Sequence, residues 1–346
     1  MNIVLLAYLE PDAKEPDVVV KQVEEALRKR GHQMSTLAIH DDVVELVGEL
    51  RRRNPDAIFN LVESFGADIL GGLIGVTGVL DLLEVPYTGG GPGELYLQED
   101  KTLSKKLLAY EKVLYPDFAS FSPDADFETG GKLRLPLFVK PARMDASIGI
   151  DAKSLVRTTQ ELLERVANIH EKFGDAALAE EYIEGRELYV GILGNLEPQV
   201  FPPVEMDFSG LPEGAPQIVD NKAKFDTDSP EYKGTKSVMA KLEPELKARV
   251  QKVALDAYRA LRVRDYGRID LRVAESGDIY VIEVNANCYL EKDGEFAMAA
   301  KAADLDYESL ISRIVELALE RWQQRSSNKD KRQAEQEAVA KAEATV

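Results

Sequence analysis

Cysteine and long apolar runs are scarce in this chain of 346 residues. The single cysteine, Cys288, excludes an intramolecular disulfide framework. No segment approaches the roughly 20 consecutive apolar residues that a membrane-spanning helix needs. The apolar run that begins at Ile3 follows no basic segment and ends at Glu10, so it predicts a first strand and not a signal peptide. These absences indicate a cytoplasmic protein with no membrane partner.

Positive charge is scarce as well. Lysine and arginine total 43 residues against 61 aspartates and glutamates, which gives a formal net charge of −18. Such an excess of negative charge argues against a nucleic-acid or anionic-membrane surface. Any site for an anionic ligand must therefore concentrate its few cations locally.

The order of predicted elements indicates an α/β protein. Predicted strands and amphipathic helices alternate in the first part, at residues 3–6, 18–30, 35–39, 42–53 and 57–61. This βαβ order predicts a parallel sheet. A glycine-rich turn at 88–93 ends that part, and a closing helix is predicted over 307–322. Residues 323–346 include almost no large apolar side chain, which predicts a disordered tail.

The segment 266–289 is predicted to be a hairpin, because two alternating runs flank the turn signal Ser276-Gly277. We expect Glu275 to pair with Asp278 across the turn. That register places Asp270 directly opposite Glu283. The apolar side chains then share the other, core-facing side: Ile269, Leu271, Val273, Tyr280, Ile282 and Val284.

The polar face of this hairpin is a candidate metal site. Like charges opposite each other are destabilising, so a cation is expected beside Asp270 and Glu283. The same register places Arg268 opposite Asn285, whose amide oxygen would be a third ligand. Carboxylate and amide oxygens suit Mg²⁺, which often keeps waters and binds substrate phosphates. The hairpin alone leaves an alternative open, a solvated face on which Arg268 and Arg272 pair with the acids.

Three further polar stretches are candidates for nucleotide binding. Lys140 ends an apolar strand before the small-residue loop 142–149, where a cation and backbone N–H groups could contact phosphate oxygens. The acidic stretch 178–188 could offer carboxylates to ribose hydroxyls or to an adenine amino group. The loop 219–232 carries Lys222 and Lys224 as a candidate phosphate clamp. Each stretch has an alternative interpretation: Lys140 as a solvated lysine at a strand end, 178–188 as an exposed acidic hairpin, and the lysines of 219–232 as local charge balance.

The order of short motifs over residues 3–322 resembles the ATP-grasp superfamily and, within it, the D-alanine:D-alanine ligase family. The matching motifs are Phe59-Asn60, Pro86-Tyr87-Thr88-Gly89, Asp100-Lys101 with Ser104-Lys105, Val139-Lys140-Pro141, Ser147-Ile148-Gly149, Glu180 to Glu187, Ala223-Lys224-Phe225, Gly267-Arg268-Ile269-Asp270 and Glu283-Val284-Asn285. So many motifs in one order, with compatible spacings, make the resemblance specific.

The resemblance implies ATP and two Mg²⁺ ions, or Mn²⁺ in their place, as cofactors. The residues it implies for the ATP phosphates are Lys101, Lys140 and Lys224, with Ser147 in a loop that closes over them. The residues implied for adenine and ribose are Glu180, Tyr182, Ile183 and Glu187. The implied metal ligands are Asp270, Glu283 and Asn285. Arg268 would stabilise the oxyanion of a tetrahedral intermediate.

The chain departs from the family where that family binds its amino acids. The glycine-rich first loop is missing, and Glu15 is the candidate for the acidic residue that holds the first substrate's ammonium group. Glu63 replaces an expected histidine, and Ala146 replaces a loop serine. After Asn285 the chain continues Ala286-Asn287-Cys288-Tyr289, where the family has Thr-Ser-Pro-Gly. The residues for ATP and metal are retained, whereas the substrates stay open.

The resemblance predicts an ATP-grasp fold, α/β with an α+β C-terminal part. The expected domains are an N-terminal parallel-sheet domain (1–98), a central lid domain (99–183), a C-terminal antiparallel-sheet domain with the metals (184–322) and the tail (323–346). The expected reaction joins a carboxylate to an amine of amino acid or peptide substrates through an acyl phosphate. The alternatives are an ATP-grasp ligase for other amino acids or for a specialised dipeptide, and a nucleotide-binding regulatory protein without turnover. A homodimer is compatible with this expectation.

Overall fold

The computed structural model describes residues 1–9, 16–66, 69–124, 126–144 and 147–343. The chain divides into two compact units. The first comprises Met1–Gly89, Gly194–Glu197 and the chain from Tyr307, and the second comprises Gly90–Leu193 and Pro198–Asp306. The finer domain limits expected from the sequence stay a prediction. Within the described ranges, no helix combines the length and the apolar character needed to cross a membrane.

The first unit opens with the parallel sheet that the sequence predicts. Its elements are β1 (Asn2–Tyr8), α1 (Val18–Lys29), β2 (Gln33–Ile39), α2 (Val43–Arg53), β3 (Ala57–Leu61) and α3 (Ile69–Leu82). The strands lie in the order β2-β1-β3, and all pairs are parallel. Helix α1 begins after Asp17, whose carboxylate accepts a hydrogen bond from the Val19 amide at 2.8 Å. The apolar start of the chain, from Ile3 to Leu6, is fully buried as the central strand.

The second unit contains two antiparallel sheets. Its elements are α4 (Pro92–Glu99), α5 (Lys101–Tyr110), β4 (Phe118–Phe121), β5 (Phe127–Gly130), β6 (Leu137–Pro141), a 3₁₀ turn (Ala152–Ser154), β7 (Leu155–Val156), α6 (Thr159–Phe173), β8 (Ala177–Glu181), β9 (Gly185–Leu193), β10 (Gln199–Val200), β11 (Val204–Asp207), α7 (Asn221–Phe225), α8 (Pro230–Gly234), β12 (Lys236–Met239), α9 (Pro244–Ala260), β13 (Tyr266–Ala274), β14 (Ile279–Ala286) and α10 (Glu295–Lys301). One sheet has the order β5-β4-β8-β6-β7. The other has the order β12-β11-β9-β13-β14, with β10 paired to β9.

One face of the larger sheet forms a core with α9. Ile269 and Leu271 of β13 are fully buried in a cluster that also holds Val250 and Tyr258 of α9. Because side chains alternate along a strand, the residues between them point to the opposite face of the sheet. That opposite face carries the polar residues of the candidate site.

The hairpin of β13 and β14 differs from the prediction at its turn. The Ala274 amide donates to the Asp278 carbonyl at 2.9 Å, so Ala274, and not Glu275, lies opposite Asp278. A β-bulge then changes the register by one residue, and beyond it Asp270 lies opposite Glu283 as predicted. One extra residue in one strand therefore corrects an offset that the turn introduces.

The bulge also changes which side chains of β14 are buried. Ile279 and Val281 belong to the core near the turn, where the sequence predicts Tyr280 and Ile282. Beyond the bulge, Val284 is buried as predicted. In β14 the predicted core face is thus right beyond the bulge and wrong near the turn, because a shift of one residue exchanges the two faces. In β13, Leu271 and Val273 are buried as predicted.

Helix α11 (Tyr307–Glu343) completes the first unit and continues past Trp322, where the sequence predicts its end. Among the side chains described, to residue 328, the last buried one is Ala318. The continuation is rich in alanine, lysine, glutamate, glutamine and arginine, which are strong helix formers. The expected disordered tail therefore differs from the structure up to Glu343, since these residues favour a helix by their intrinsic propensity.

Candidate active site

Three adjacent strands place five of the predicted site residues side by side. Strand β13 lies between β9 and β14, and every second residue of β13 faces the site. The three rows of paired residues are Tyr189, Asp270 and Glu283; Gly191, Arg268 and Asn285; and Glu187, Arg272 and Tyr280. The predicted pairing of Asp270 with Glu283 and of Arg268 with Asn285 is confirmed.

Side chains compensate the charges of both predicted metal carboxylates. Nε and Nη2 of Arg268 contact the two oxygens of Asp270 at 2.7 and 2.9 Å. Nζ of Lys101 lies 3.1 Å from Oε1 of Glu283. Burial raises the pKa of the Asp270 carboxyl, although Arg268 favours its charged form. Arg268 pairs with Asp270 as the alternative interpretation of the hairpin supposed, but Asp270 is 9% exposed, so the face is not solvated at this pair.

Whether Asp270, Glu283 and Asn285 can bind a metal ion depends on their side-chain oxygen atoms. Among the residues that the structure describes, no group of three or more His, Cys, Asp or Glu side chains could hold a metal. Asp270 and Glu283, with the amide of Asn285, are hard oxygen donors of the kind Mg²⁺ takes when waters and phosphates complete its shell. The cluster fits such a partial ligand set, and the assignment stays a prediction.

A buried carboxylate holds two lysines at the next part of the site. Glu180 of β8 lies 2.7 Å from Nζ of Lys105 and 3.2 Å from Nζ of Lys140. None of the three residues is more than 5% exposed. Burial acts to raise the pKa of Glu180, but the two lysines hold it below its ordinary value. Lys101, one helical turn before Lys105, also donates to the Met144 carbonyl at 2.9 Å. The predicted phosphate lysines Lys101 and Lys140 thus belong to a connected charged cluster.

Three of the four predicted adenine and ribose residues surround Arg272, whereas the fourth, Glu180, pairs with Lys105 and Lys140. Its guanidinium contacts Oε2 of Glu187 at 2.6 Å and donates to the carbonyl of Ile183 at 2.9 Å. It also donates to the carbonyl of Gln217 and lies 5.0 Å from the ring centroid of Tyr182. The hydroxyl of Tyr182 donates to the same Gln217 carbonyl at 3.1 Å. Tyr182, Ile183 and Glu187 are thus brought together by one arginine.

The two candidate lid loops meet at one hydrogen bond. Oγ of Ser147, a residue with φ of 60°, donates to the Val219 carbonyl at 3.0 Å. Lys224 lies in α7, which Asp220 caps by accepting from the Ala223 amide at 2.8 Å. Lys224 interacts electrostatically with Arg268 and with the carboxylates of Asp270, Glu283 and Glu295. Glu15, the candidate for binding an ammonium group, and Ala146 lie outside the described residues.

The segment after β14 adopts a specific backbone conformation. Asn287 has φ of 51°, in the left-handed region, and its side-chain oxygen accepts from the Gly90 amide at 2.8 Å. The Ala286 amide donates to the side chain of Gln98 in α4. Burial raises the pKa of the Cys288 thiol to about 12. Cys288 is therefore a buried side chain beside the site, and at this pKa it is a neutral thiol at neutral pH.

Glu295, the first residue of α10, adds a second carboxylate to Arg268. Its Oε2 lies 3.5 Å from Nη1 of Arg268, and its Oε1 accepts from the Ser237 hydroxyl at 2.8 Å. Burial acts to raise the pKa of Glu295, and Arg268 and Ser237 hold it below its ordinary value. Arg268 is thus flanked by the carboxylates of Asp270 and Glu295.

Sequence reasoning gave no role to three residues that the structure places in the site: Lys105, Tyr189 and Glu295. Lys105 follows Lys101 by four residues, a helical spacing that could have indicated a shared face. Tyr189 alternates with Glu187 along β9, which also could have indicated a shared face. Glu295 carries no such signal, because its contact with Arg268 depends on the path of the chain after β14.

Comparison with known proteins agrees with this fold. Residues 106–316 match the family described as D-ala D-ala ligase C-terminus. The uncharacterized protein y4sG of Sinorhizobium fredii is 32% identical over 311 residues, which cover 88% of each chain. The D-alanine–D-alanine ligase of Desulforudis audaxviator is 31% identical and covers 86% of this chain and 91% of its own. The crystal structure of D-alanine–D-alanine ligase from Bacillus anthracis complexed with ATP has a TM-score of 0.73 at 22% identity, over 94% of this chain and 99% of that one.

These matches and the two antiparallel sheets define an ATP-grasp enzyme of the ligase type. The chain belongs to the D-alanine–D-alanine ligase family. The fold and family expected from the motif order are confirmed, and the family implies the use of ATP and small-molecule substrates.

Proposed function

We propose that this protein is a Mg²⁺-dependent ligase that uses ATP to join a carboxylate to an amine through an acyl phosphate. The observation that carries the proposal is the polar face of β13, where Arg268 and Lys101 compensate the paired carboxylates of Asp270 and Glu283. Such a cluster can bind metal and phosphate on one side and keep an arginine beside the reacting group.

In the first half of the reaction, a substrate carboxylate oxygen attacks the γ-phosphorus of ATP, and ADP leaves. Lys101, Lys140 and Lys224 would neutralise phosphate charge, and Ser147 would help to close the loop over it. Mg²⁺ held by Asp270, Glu283 and Asn285 would supply further charge neutralisation when bound. The adenine and ribose would lie against Tyr182, Ile183 and Glu187, which surround Arg272, and against Glu180, which pairs with Lys105 and Lys140.

In the second half, the amine nitrogen of the second substrate attacks the acyl carbon. Arg268 would stabilise the negative charge that develops on the acyl oxygen. The carbon–oxygen bond to phosphate then breaks, and the products are an amide, inorganic phosphate and a proton from the amine. The carboxylates of Asp270 and Glu295 both contact Arg268 and would hold it in the site before substrate binds.

The substrates proposed differ from two D-alanines. The relatives with a printed activity are D-alanine–D-alanine ligases, but this chain has the much bulkier Tyr289 where the family has glycine, and Cys288 where it has proline. Glu63 in place of a histidine adds negative charge. We therefore propose a ligase for other, more cationic amino acids or for a specialised dipeptide, with weak D-alanyl-D-alanine synthesis at best.

The test is phosphate release from ATP and Mg²⁺ with L- and D-amino acids and dipeptides, singly and in pairs. We expect release that needs both a carboxylate and an amine substrate, with an amide product detected by mass spectrometry. Efficient D-alanine dimerisation would contradict the substrate proposal and leave the reaction class intact. Binding of Mg-ATP without turnover across the panel would instead favour a regulatory protein.

The assembly and compartment stay predictions of the same proposal. A cytoplasmic protein is expected, and a homodimer is compatible with the proposal; light scattering coupled to size-exclusion chromatography measures the mass of the assembly. A mass near the 38.4 kDa of one chain would contradict the dimer.

A further inference from the structure

Tyr189 lies between two ends of the site: the nucleotide end around Arg272 and the reacting end around Arg268. It lies in β9, directly beside Asp270 of β13, and its side chain is 6% exposed. Burial raises the pKa of its phenol well above the ordinary value, so the hydroxyl remains a hydrogen-bond donor at neutral pH. Tyr189 thus lies on the polar face of the sheet between two arginine–carboxylate pairs, Arg268 with Asp270 and Arg272 with Glu187.

The hydroxyl of Tyr189 contacts the nucleotide end. It donates to Oε1 of Glu187 at 2.7 Å. The other oxygen of Glu187 accepts from Arg272 at 2.6 Å. The carboxylate of Glu187 is therefore held from both sides, and the hydroxyl fixes the oxygen that Arg272 does not contact.

The ring of Tyr189 contacts the reacting end. The guanidinium carbon of Arg268 lies 4.9 Å from the centroid of the ring. A guanidinium within about 6 Å of a tyrosine ring is attracted to the negative face of the π system. Gly191, the next residue of β9 on this face, pairs with Arg268 and has no side chain to hold it. The ring of Tyr189 is therefore the side chain of β9 that constrains the position of the Arg268 guanidinium.

We propose that Tyr189 is a positioning residue for both ends of the site: its hydroxyl orients Glu187, and its ring orients Arg268. The inference rests on the proposed ligase function and deepens it, because different parts of one side chain, the hydroxyl and the ring, support nucleotide binding and the reaction step. The hydroxyl acts on nucleotide binding, whereas the ring acts on the step in which charge develops beside Arg268.

Two substitutions separate these roles. Tyr189→Phe removes the hydroxyl and keeps the ring, so we expect the KM for ATP and the Kd for Mg-ATP to rise by about tenfold, since a hydrogen bond to a charged group is lost. Its kcat should stay within about twofold of wild type, because the ring and its attraction to Arg268 remain. Tyr189→Leu removes both, and kcat should fall by a further factor of about ten.

The control is Tyr110→Phe, which removes one hydroxyl from an exposed tyrosine at the end of α5 and should change neither constant. If Tyr189→Leu does not fold, as judged by thermal unfolding, Tyr189→Met is measured instead because its flexible side chain fills irregular space. Equal losses of kcat in the Phe and Leu variants, or a wild-type KM in Tyr189→Phe, would overturn the proposal. If wild type binds Mg-ATP but catalyses no ligation, the proposed function fails and the ring role with it, while the Kd of Tyr189→Phe still decides the hydroxyl role.

Discussion

The two arginines of β13 that face the site have similar surroundings but different partners. Each is bonded to a carboxylate and stacked on a tyrosine: Arg272 on Glu187 and Tyr182, Arg268 on Asp270 and Tyr189. Arg272 also donates to the backbone carbonyls of Ile183 and Gln217. The further partner of Arg268 is the side chain of Glu295.

This difference indicates different functions for the two residues. Backbone carbonyls are held by the fold, so the bonds of Arg272 tie two segments together and resist rearrangement. The partners of Arg268 are carboxylate side chains, which can exchange a guanidinium for a metal ion or a substrate group without unfolding a strand. Arg272 is therefore expected to maintain the nucleotide end, and Arg268 to respond to the reacting groups.

The largest expected effect is on turnover. Arg268→Lys loses the planar pair of donors and should lower kcat by about 10²- to 10³-fold, the range for losing one oxyanion donor. Arg272→Lys is the matched control on the same strand and should change kcat much less. Steady-state phosphate release measures both. Equal losses of kcat would show that the two arginines do not differ as their partners suggest.

The next effect is on stability. Asp270→Asn leaves Arg268 partly buried without its bidentate carboxylate, so the free energy of unfolding should fall by about 3 kcal/mol. Glu283→Gln should cost about 1 kcal/mol or less, because the Glu283 side chain is 27% exposed and Lys101 keeps the Met144 carbonyl. Urea unfolding of the protein without nucleotide measures both. A Glu283→Gln loss as large as that of Asp270→Asn would contradict the expectation that the more exposed Glu283–Lys101 pair contributes less to stability than the Asp270–Arg268 pair.

A smaller effect is expected at the nucleotide end. Arg272→Met keeps much of the packing volume but loses the bonds to Glu187 and to the two carbonyls. We expect the KM for ATP to rise by about tenfold, since bonds of a charged donor are lost, with kcat close to wild type. Thermal unfolding with and without Mg-ADP provides a second readout, because the shift in Tm on adding nucleotide should shrink. A full Tm shift would show that Arg272 does not support nucleotide binding.

The smallest effect concerns Cys288, which tests whether the Arg268 end opens. With a thiol pKa of about 12, the thiolate fraction at pH 8 is on the order of 10⁻⁴, so iodoacetamide should not modify the folded protein. Modification of the thiol should increase only as the pH approaches this raised pKa, or when unfolding returns the pKa to its ordinary value. Mass spectrometry before and after addition of urea measures the modification. Rapid labelling of the folded protein at pH 8 would show that this end is open to solvent.

Sequence patterns predicted the parts of the site that depend on local spacing. Strand alternation placed Asp270 opposite Glu283, and the motif order indicated the lysines and the ATP-grasp fold. The same reasoning misplaced the turn by one residue, because a β-bulge has no distinct signature in alternating apolar residues. It therefore assigned Tyr280 and Ile282 to the core, where Ile279 and Val281 lie.

By itself, the amino-acid sequence determined the elements, the family and the types of chemical group available, because periodicity and short motifs are local properties of the chain. Only the tertiary structure decided the partners of each charge. Arg268 pairs with Asp270 two residues away and with Glu295 beyond the hairpin, and Glu180 holds Lys105 and Lys140 from different elements. Such pairings depend on which strands are neighbours and on a bulge that restores their register, and no local pattern contains that information.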